Sequence, residues 1–435
     1  MSFTARQLRL PRFVFSPVDE HAVAEDKLKG LQRFGPYKQI HGKKRFGFVF
    51  PNGYNELAND LYRALRSGIG FFRGLPEVFK THFGLDQVFS ISGFSVDNQR
   101  PVDAAKRYAE AIHHWIDSSR ESADLFFVIH EKTSPWEEDT PYHACKAVLL
   151  EHGILSQNVT TELIRSRSQF EWSAANIALA AFAKLGGVPW AIRSRAGTEQ
   201  LVLGVGIAEA VDPDTRNRDR VTAFTTCMRT DGVFKFVAVG HSTTRDKYLS
   251  ALRQAVAASV RQLRSTERIE DALVLHLPKE FGEEEREQVE LGLKDGNPTA
   301  VTQCDVLKIT DEHRFFLVDE GHPSGVPNRG VCARVRADEY ILYTEGRDEK
   351  LSWSGRAPSA LRVRRYGGAS QSSLLTDELI AQVFDLSQAN WRGFNARSRP
   401  VSILYSELIA RELAYAALSP RPNQPLHFDS RLWFL

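Results

Sequence analysis

Residues 201–240 read LVLGVGIAEAVDPDTRNRDRVTAFTTCMRTDGVFKFVAVG. Three apolar, β-branched runs stand out, at 201–210, 220–229 and 234–243. The gap Thr230-Asp231-Gly232-Val233 contains Asp-Gly, a hairpin signal, so the second and third runs are predicted to pair antiparallel. A helix is predicted over 246–265, a strand over 271–278 (DALVLHLP) and a further helix over 283–294.

Three antiparallel strands followed by helix, strand and helix is the order of an RNase H-like core. Downstream, strands are expected around 303–309, 315–318 and 330–344, and closing helices at 377–391 and 403–418. Upstream the rhythm changes to strand–helix alternation. Strands are predicted at 46–50, 87–94 and 123–131, and helices at 55–68, 101–117, 140–152 and 172–185. The run ADLFFVIHE (123–131) is apolar throughout, as in a strand buried on both faces. Alternation of this kind gives a mostly parallel sheet with helices on both faces. The fold class is therefore α/β, Rossmann-like and then RNase H-like, with domains expected at 1–187 and 188–435.

The helix at 140–152 carries YHACK. Its Tyr142 and Lys146 are four apart and share a face. Gln157 is expected in the following loop, and Lys184 near the end of the next helix, before Gly186-Gly187. An aromatic ring can stack on a terminal base, while two ammonium groups and an amide can hold a phosphate dianion. Taken singly, a Tyr–Lys pair is also a common surface pair, and Lys184 also complements a helix C-terminus. Taken together, Tyr142, Lys146, Gln157 and Lys184 resemble the guide 5′-phosphate pocket of the MID domain of Argonaute proteins. AKLGGVPW (183–190) resembles the MID–PIWI junction. GLQRFGPY (30–37) is similar to the start of short prokaryotic Argonautes, and RSRPVSILYSELIARELA (397–414) to the last PIWI helix.

The resemblance implies a Rossmann-like MID domain and an RNase H-like PIWI domain. It also implies a guide strand (RNA or DNA, with RNA favoured) that pairs with target single-stranded DNA. A partner effector is implied, bearing a PAZ-like analogue region fused to a TIR or sirtuin-like NADase or to a nuclease, in defence against plasmids or phage. It further implies Mg²⁺ at the guide phosphate, held by the Leu435 carboxylate and Gln157; Asn176 could support the same pocket. An active PIWI centre needs carboxylates around two metal ions. Here the first position is Ala208, with Glu209 pointing to the opposite face. The second region reads His276-Leu277-Pro278-Lys279, and the third, Arg397–Ser402, holds no acid. The chain is therefore expected not to cut. Two alternatives stay open: a guide-directed endonuclease using relocated carboxylates such as Glu209, Asp231 and Glu280, or a structural subunit without guide binding.

With 435 residues and 42% hydrophobic content, sizeable cores can form. No run approaches the about 18 apolar residues of a membrane span, and the N-terminus lacks a signal-peptide core. The four cysteines are scattered, which argues against a zinc site or a disulfide framework and fits the cytoplasm. The net charge of +2 conceals polarity: residues 184–264 carry 13 Lys+Arg against 7 Asp+Glu, and residues 353–399 carry 7 against 3. Arg193, Arg195, Arg218, Arg220, Arg364 and Arg365 are candidates for nucleic-acid backbone contacts. Other motifs fail: GVG lacks GxGxxG, GVPNRG lacks GK[ST], His113-His114 are adjacent rather than four apart, and no serine sits in GxSxG.

Overall fold

A computed structural model describes residues 4–80, 84–85, 88–97, 100–134, 139–193, 195, 200–210, 220–239, 243–244, 247–266, 273–278, 282–298, 303–348, 358–366, 375–414 and 431–435. Two main sheets organise them. The first has four parallel strands in spatial order Phe89–Ile91, Phe46–Val49, Leu125–His130, Leu155–Thr160. Leu125–His130 is buried along its whole length, as its apolar run requires. The helices Asn55–Ser67, Pro101–Ser118, Pro141–Glu151 and Arg167–Lys184 accompany this sheet.

The second sheet is built on Leu201–Ala210, which pairs antiparallel with Arg220–Arg229 and parallel with Leu273–Leu277. Phe234–Val239 completes the hairpin, and Cys304–Thr310 and Leu361–Tyr366 extend the other side. The helix Tyr248–Thr266 crosses over between the third and fourth strands of this core. The final helix, Val401–Leu413, packs on Leu201–Ala210 so closely that a Cβ at Gly204 would lie 2.2 Å from the Ser402 carbonyl oxygen. A glycine is what this approach needs.

Three expectations are corrected. Gln157 lies in the strand Leu155–Thr160, not in a loop. Residues 315–318 form no strand; Phe315, Phe316 and Val318 are exposed. The expected strand at 330–344 is a hairpin of Val331–Arg336 and Glu339–Leu342. Two early strands reach partners beyond residue 187. Thr4–Gln7 pairs with Val331–Arg336 at the edge of the second sheet, and Phe13–Val14 pairs with Ala191–Ile192.

Candidate guide-end site

The helices Pro141–Glu151 and Arg167–Lys184 flank the strand Leu155–Thr160. Thr140 caps the first helix, its hydroxyl accepting from the His143 amide, and Pro141 occupies the first turn. On the second helix Ser173, Asn176, Ile177, Ala180 and Lys184 recur at helical spacing, so one stripe faces one space. That space is a cavity of about 160 Å³. Tyr142, Gln157 and Asn158 line it from the first half of the chain, and Arg392 and Leu435 from the second. Tyr142, Gln157, Asn176, Lys184 and Leu435, all singled out in the sequence, therefore meet in one place.

Lys146 does not line this cavity. It stands one layer behind, 1% exposed, with its Nζ 2.9 Å from Glu412 Oε1 and donating to the Tyr142 hydroxyl over 3.1 Å. Tyr142 in turn donates to the same Glu412 oxygen. Burial opposes the charge on Lys146, but Glu412 and Tyr142 outweigh it and hold its pKa above the ordinary lysine value. Lys184 is different. Burial, with Lys146 and Arg392 adding repulsion against a partial offset from Glu412, drives its pKa well down. Its Nζ donates to the Ser156 carbonyl over 2.6 Å.

Sequence reasoning missed three residues here. Arg392 sits on the turn after the helix Thr376–Gln388, and Asn176 fastens that turn by accepting the Phe394 amide over 3.2 Å. Lys27, which is buried, donates to the Phe394 carbonyl over 3.0 Å and stands over the Phe13 and Trp190 rings. Glu412 lies in the helix Val401–Leu413, within the stretch already likened to the last PIWI helix, but an acid there reads as a surface residue.

The oxygens Gln157 Oε1 and Asn158 Oδ1 are buried and have no hydrogen-bond partner among the described residues. Hard oxygens of this kind suit a divalent cation. The described residues contain no group of three or more His, Cys, Asp or Glu placed to hold a metal ion.

At the strand ends of the second sheet, Ala208 is buried and Glu209 faces outward. His276 is buried, its Nδ1 is 2.7 Å from Ser402 Oγ, and burial pushes its pKa down to about 3. Asp231 serves the hairpin, accepting the Val233 amide over 2.9 Å and pairing with Arg229. Since Leu201 pairs with Arg229, Asp231 lies at the end of the hairpin opposite Glu209. Glu280 lies outside the described residues.

The arginine candidates divide. Arg365 is paired with the fully buried Asp305, its Nε donating over 3.0 Å, and Arg195 makes two hydrogen bonds to the buried Asp385. Each of these two guanidiniums is paired with a buried carboxylate, Arg195 from an exposed position. Arg193 is exposed, and Arg364 is 38% exposed beside Asp338. Arg220 starts a strand, and Arg218 lies outside the described residues.

Fold and cavity define a class: an RNase H-like sheet joined to a Rossmann-like sheet, with a cationic cavity walled by both. The Piwi domain model matches residues 125–417. The Argonaute of Cereibacter sphaeroides is 24% identical over 99% of this chain, which spans 59% of that protein. The Piwi protein of Archaeoglobus fulgidus is 22% identical over 94% of this chain and 93% of its own length. The solved structure of Clostridium butyricum Argonaute, bound to a guide DNA and a 19-mer target DNA, covers all of this chain and 55% of its own, with a TM-score of 0.69 at 17% identity. The chain belongs to the Piwi domain family.

Proposed function

We propose that this chain holds a guide strand by its 5′ phosphate in the Tyr142–Lys184 cavity, pairs it with a complementary target, and does not itself cut. The carrying observation is the cavity, where Lys184, Arg392 and Tyr142 converge with two unpartnered oxygens. Ligation by cations suits a phosphate dianion, and Lys184, forced towards its neutral form when the pocket is empty, regains its proton when that dianion arrives. Mg²⁺ fits beside it: Gln157, Asn158 and the Leu435 carboxylate would hold the ion, and it would offset the charge of the guide phosphates. MID (1–187) and PIWI (188–435) are the proposed functional units, the first residues crossing to the second sheet.

The residues at the strand ends support the lack of cutting. Ala208, His276 and Ser402 offer no carboxylate to a two-metal centre. The guide is RNA or DNA, and base pairing with single-stranded target DNA supplies the specificity. Pairing then switches on a partner effector with a PAZ-like analogue region (a TIR or sirtuin-like NADase, or a nuclease) in cytoplasmic defence against plasmids or phage. The four cysteines are buried and form no disulfide, which agrees with a reducing compartment. No described helix is long and apolar enough to cross a membrane.

The test compares 5′-phosphorylated with 5′-hydroxyl guides of one sequence in a binding assay. Preference for the phosphate is expected, and indifference rejects the pocket. Incubating the loaded chain with labelled target and Mg²⁺ or Mn²⁺ tests the rest. A guided cut would favour the endonuclease reading.

A further inference from the structure

Glu412 stands on the unfavourable side of the cavity's charge balance. It lies in the last turn of Val401–Leu413, where the helix dipole disfavours an anion. It is 6% exposed, and its Oε2 is buried without a hydrogen-bond partner among the described residues. Its Oε1 takes both the Tyr142 hydroxyl and Lys146 Nζ. Those are the two groups a phosphate would use at that end of the pocket, and Lys146 is thereby drawn behind the cavity wall.

We infer that Glu412 is a built-in competitor of the guide phosphate. In the empty pocket it occupies Tyr142 and Lys146, and a 5′ phosphate gains Lys146 only by taking it from Glu412. Two anions within a few ångströms of one buried ammonium repel each other strongly, because little water screens them. A phosphate on a guide brings two charges, meets Lys184 and Arg392 as well, and is anchored by the rest of its strand. A free small anion lacks that anchorage. Glu412 thus sets a threshold that favours a phosphate carried on a strand over one in solution. This inference rests on the proposed guide-end reading of the cavity.

The test uses the full chain, fluorescent 5′-phosphorylated and 5′-hydroxyl oligonucleotides of one sequence, and inorganic phosphate as competitor. Glu412→Gln keeps the hydrogen-bonding shape and removes the charge. It is expected to tighten binding of the phosphorylated strand by about tenfold, the scale of one nearby charge in a partly buried site. The hydroxyl strand should change by less than about twofold, and inorganic phosphate should become an effective competitor. Glu412→Asp, which keeps the acid but withdraws it by one methylene, should give a smaller gain in the same direction and decides the matter if Glu412→Gln does not fold. A phosphate-to-hydroxyl preference that is unchanged or reduced in these variants overturns the competitor role while leaving the guide-end site intact. A wild-type chain with no such preference overturns both.

Discussion

The molecule holds two buried polar clusters, one in each sheet region, and they are built on opposite plans. Around the cavity, the buried Lys146, Lys184 and Glu412 gather, beside the exposed Arg392, with buried oxygens that lack partners among the described residues. Beneath the strand ends of the second sheet the cluster is neutral. Thr226 Oγ1 lies 3.3 Å from the Gly204 and Ser402 carbonyls and 3.2 Å from Ser406 Oγ, and an uncharged His276 meets Ser402. Charge kept under tension costs stability and is useful only if a ligand relieves it. Neutral groups bonded to one another fix a helix against a strand and ask for no ligand. The contrast assigns binding to the first cluster and packing to the second.

The largest expected effect breaks this contrast outright if it fails. Lys146→Met strands Glu412 as an uncompensated buried charge and should lower the unfolding free energy by about 3–5 kcal/mol in urea titrations. Ser402→Ala, in the neutral cluster, should cost only about 1–3 kcal/mol. Equal losses would mean that the clusters are not different in kind. Next, Lys184→Ala should weaken binding of a 5′-phosphorylated guide by roughly 10- to 100-fold, the worth of a charge-assisted hydrogen bond, and leave a 5′-hydroxyl guide nearly unchanged.

A pH titration gives a smaller effect. Burial, then repulsion from Arg329, lowers the Lys27 pKa from 10.5 to about 7. Between those values the unfolded chain binds more protons than the folded one, so this group makes stability rise with pH, by roughly 1 kcal/mol per unit at most. Comparing denaturant midpoints from pH 7 to 9 in the parent and in Lys27→Met tests this, since the variant should lose that part of the slope. The smallest change is expected from Arg364→Ala on the half-exposed face. Guide–target affinity should fall by less than about threefold, and the slope of log affinity against log salt by about 1.

Much of this was legible in the sequence where periodicity carries the signal. Strands such as Leu125–His130 and Leu201–Ala210 are long apolar runs, and the strand–helix alternation follows from them. Gln157 was misplaced because LSQNVT is too polar to read as a strand until its parallel neighbour Leu125–His130 is known. Leu361–Tyr366 was missed because its arginines hide the alternation; only Asp305, Glu339 and Asp338 on adjoining segments explain them. The FFLV run (315–318) had the opposite problem: it is apolar, but it joins no described strand, and Leu317 packs against Ile341 and Tyr343 instead. Tyr142, Gln157 and Lys184 were found as a set through resemblance. Glu412 and Arg392 were not, since their meaning arises from neighbours far along the chain, 270 residues away for Tyr142 and Glu412, and a single acid in an amphipathic helix carries no local mark.

The strand Thr4–Gln7 finds its partner in Val331–Arg336. During synthesis its residues must therefore wait for about 320 more before they can take their place. Until then they remain unpaired backbone, open to wrong neighbours. Closing so long a loop is entropically slow, so the second sheet should gain its last edge late in folding.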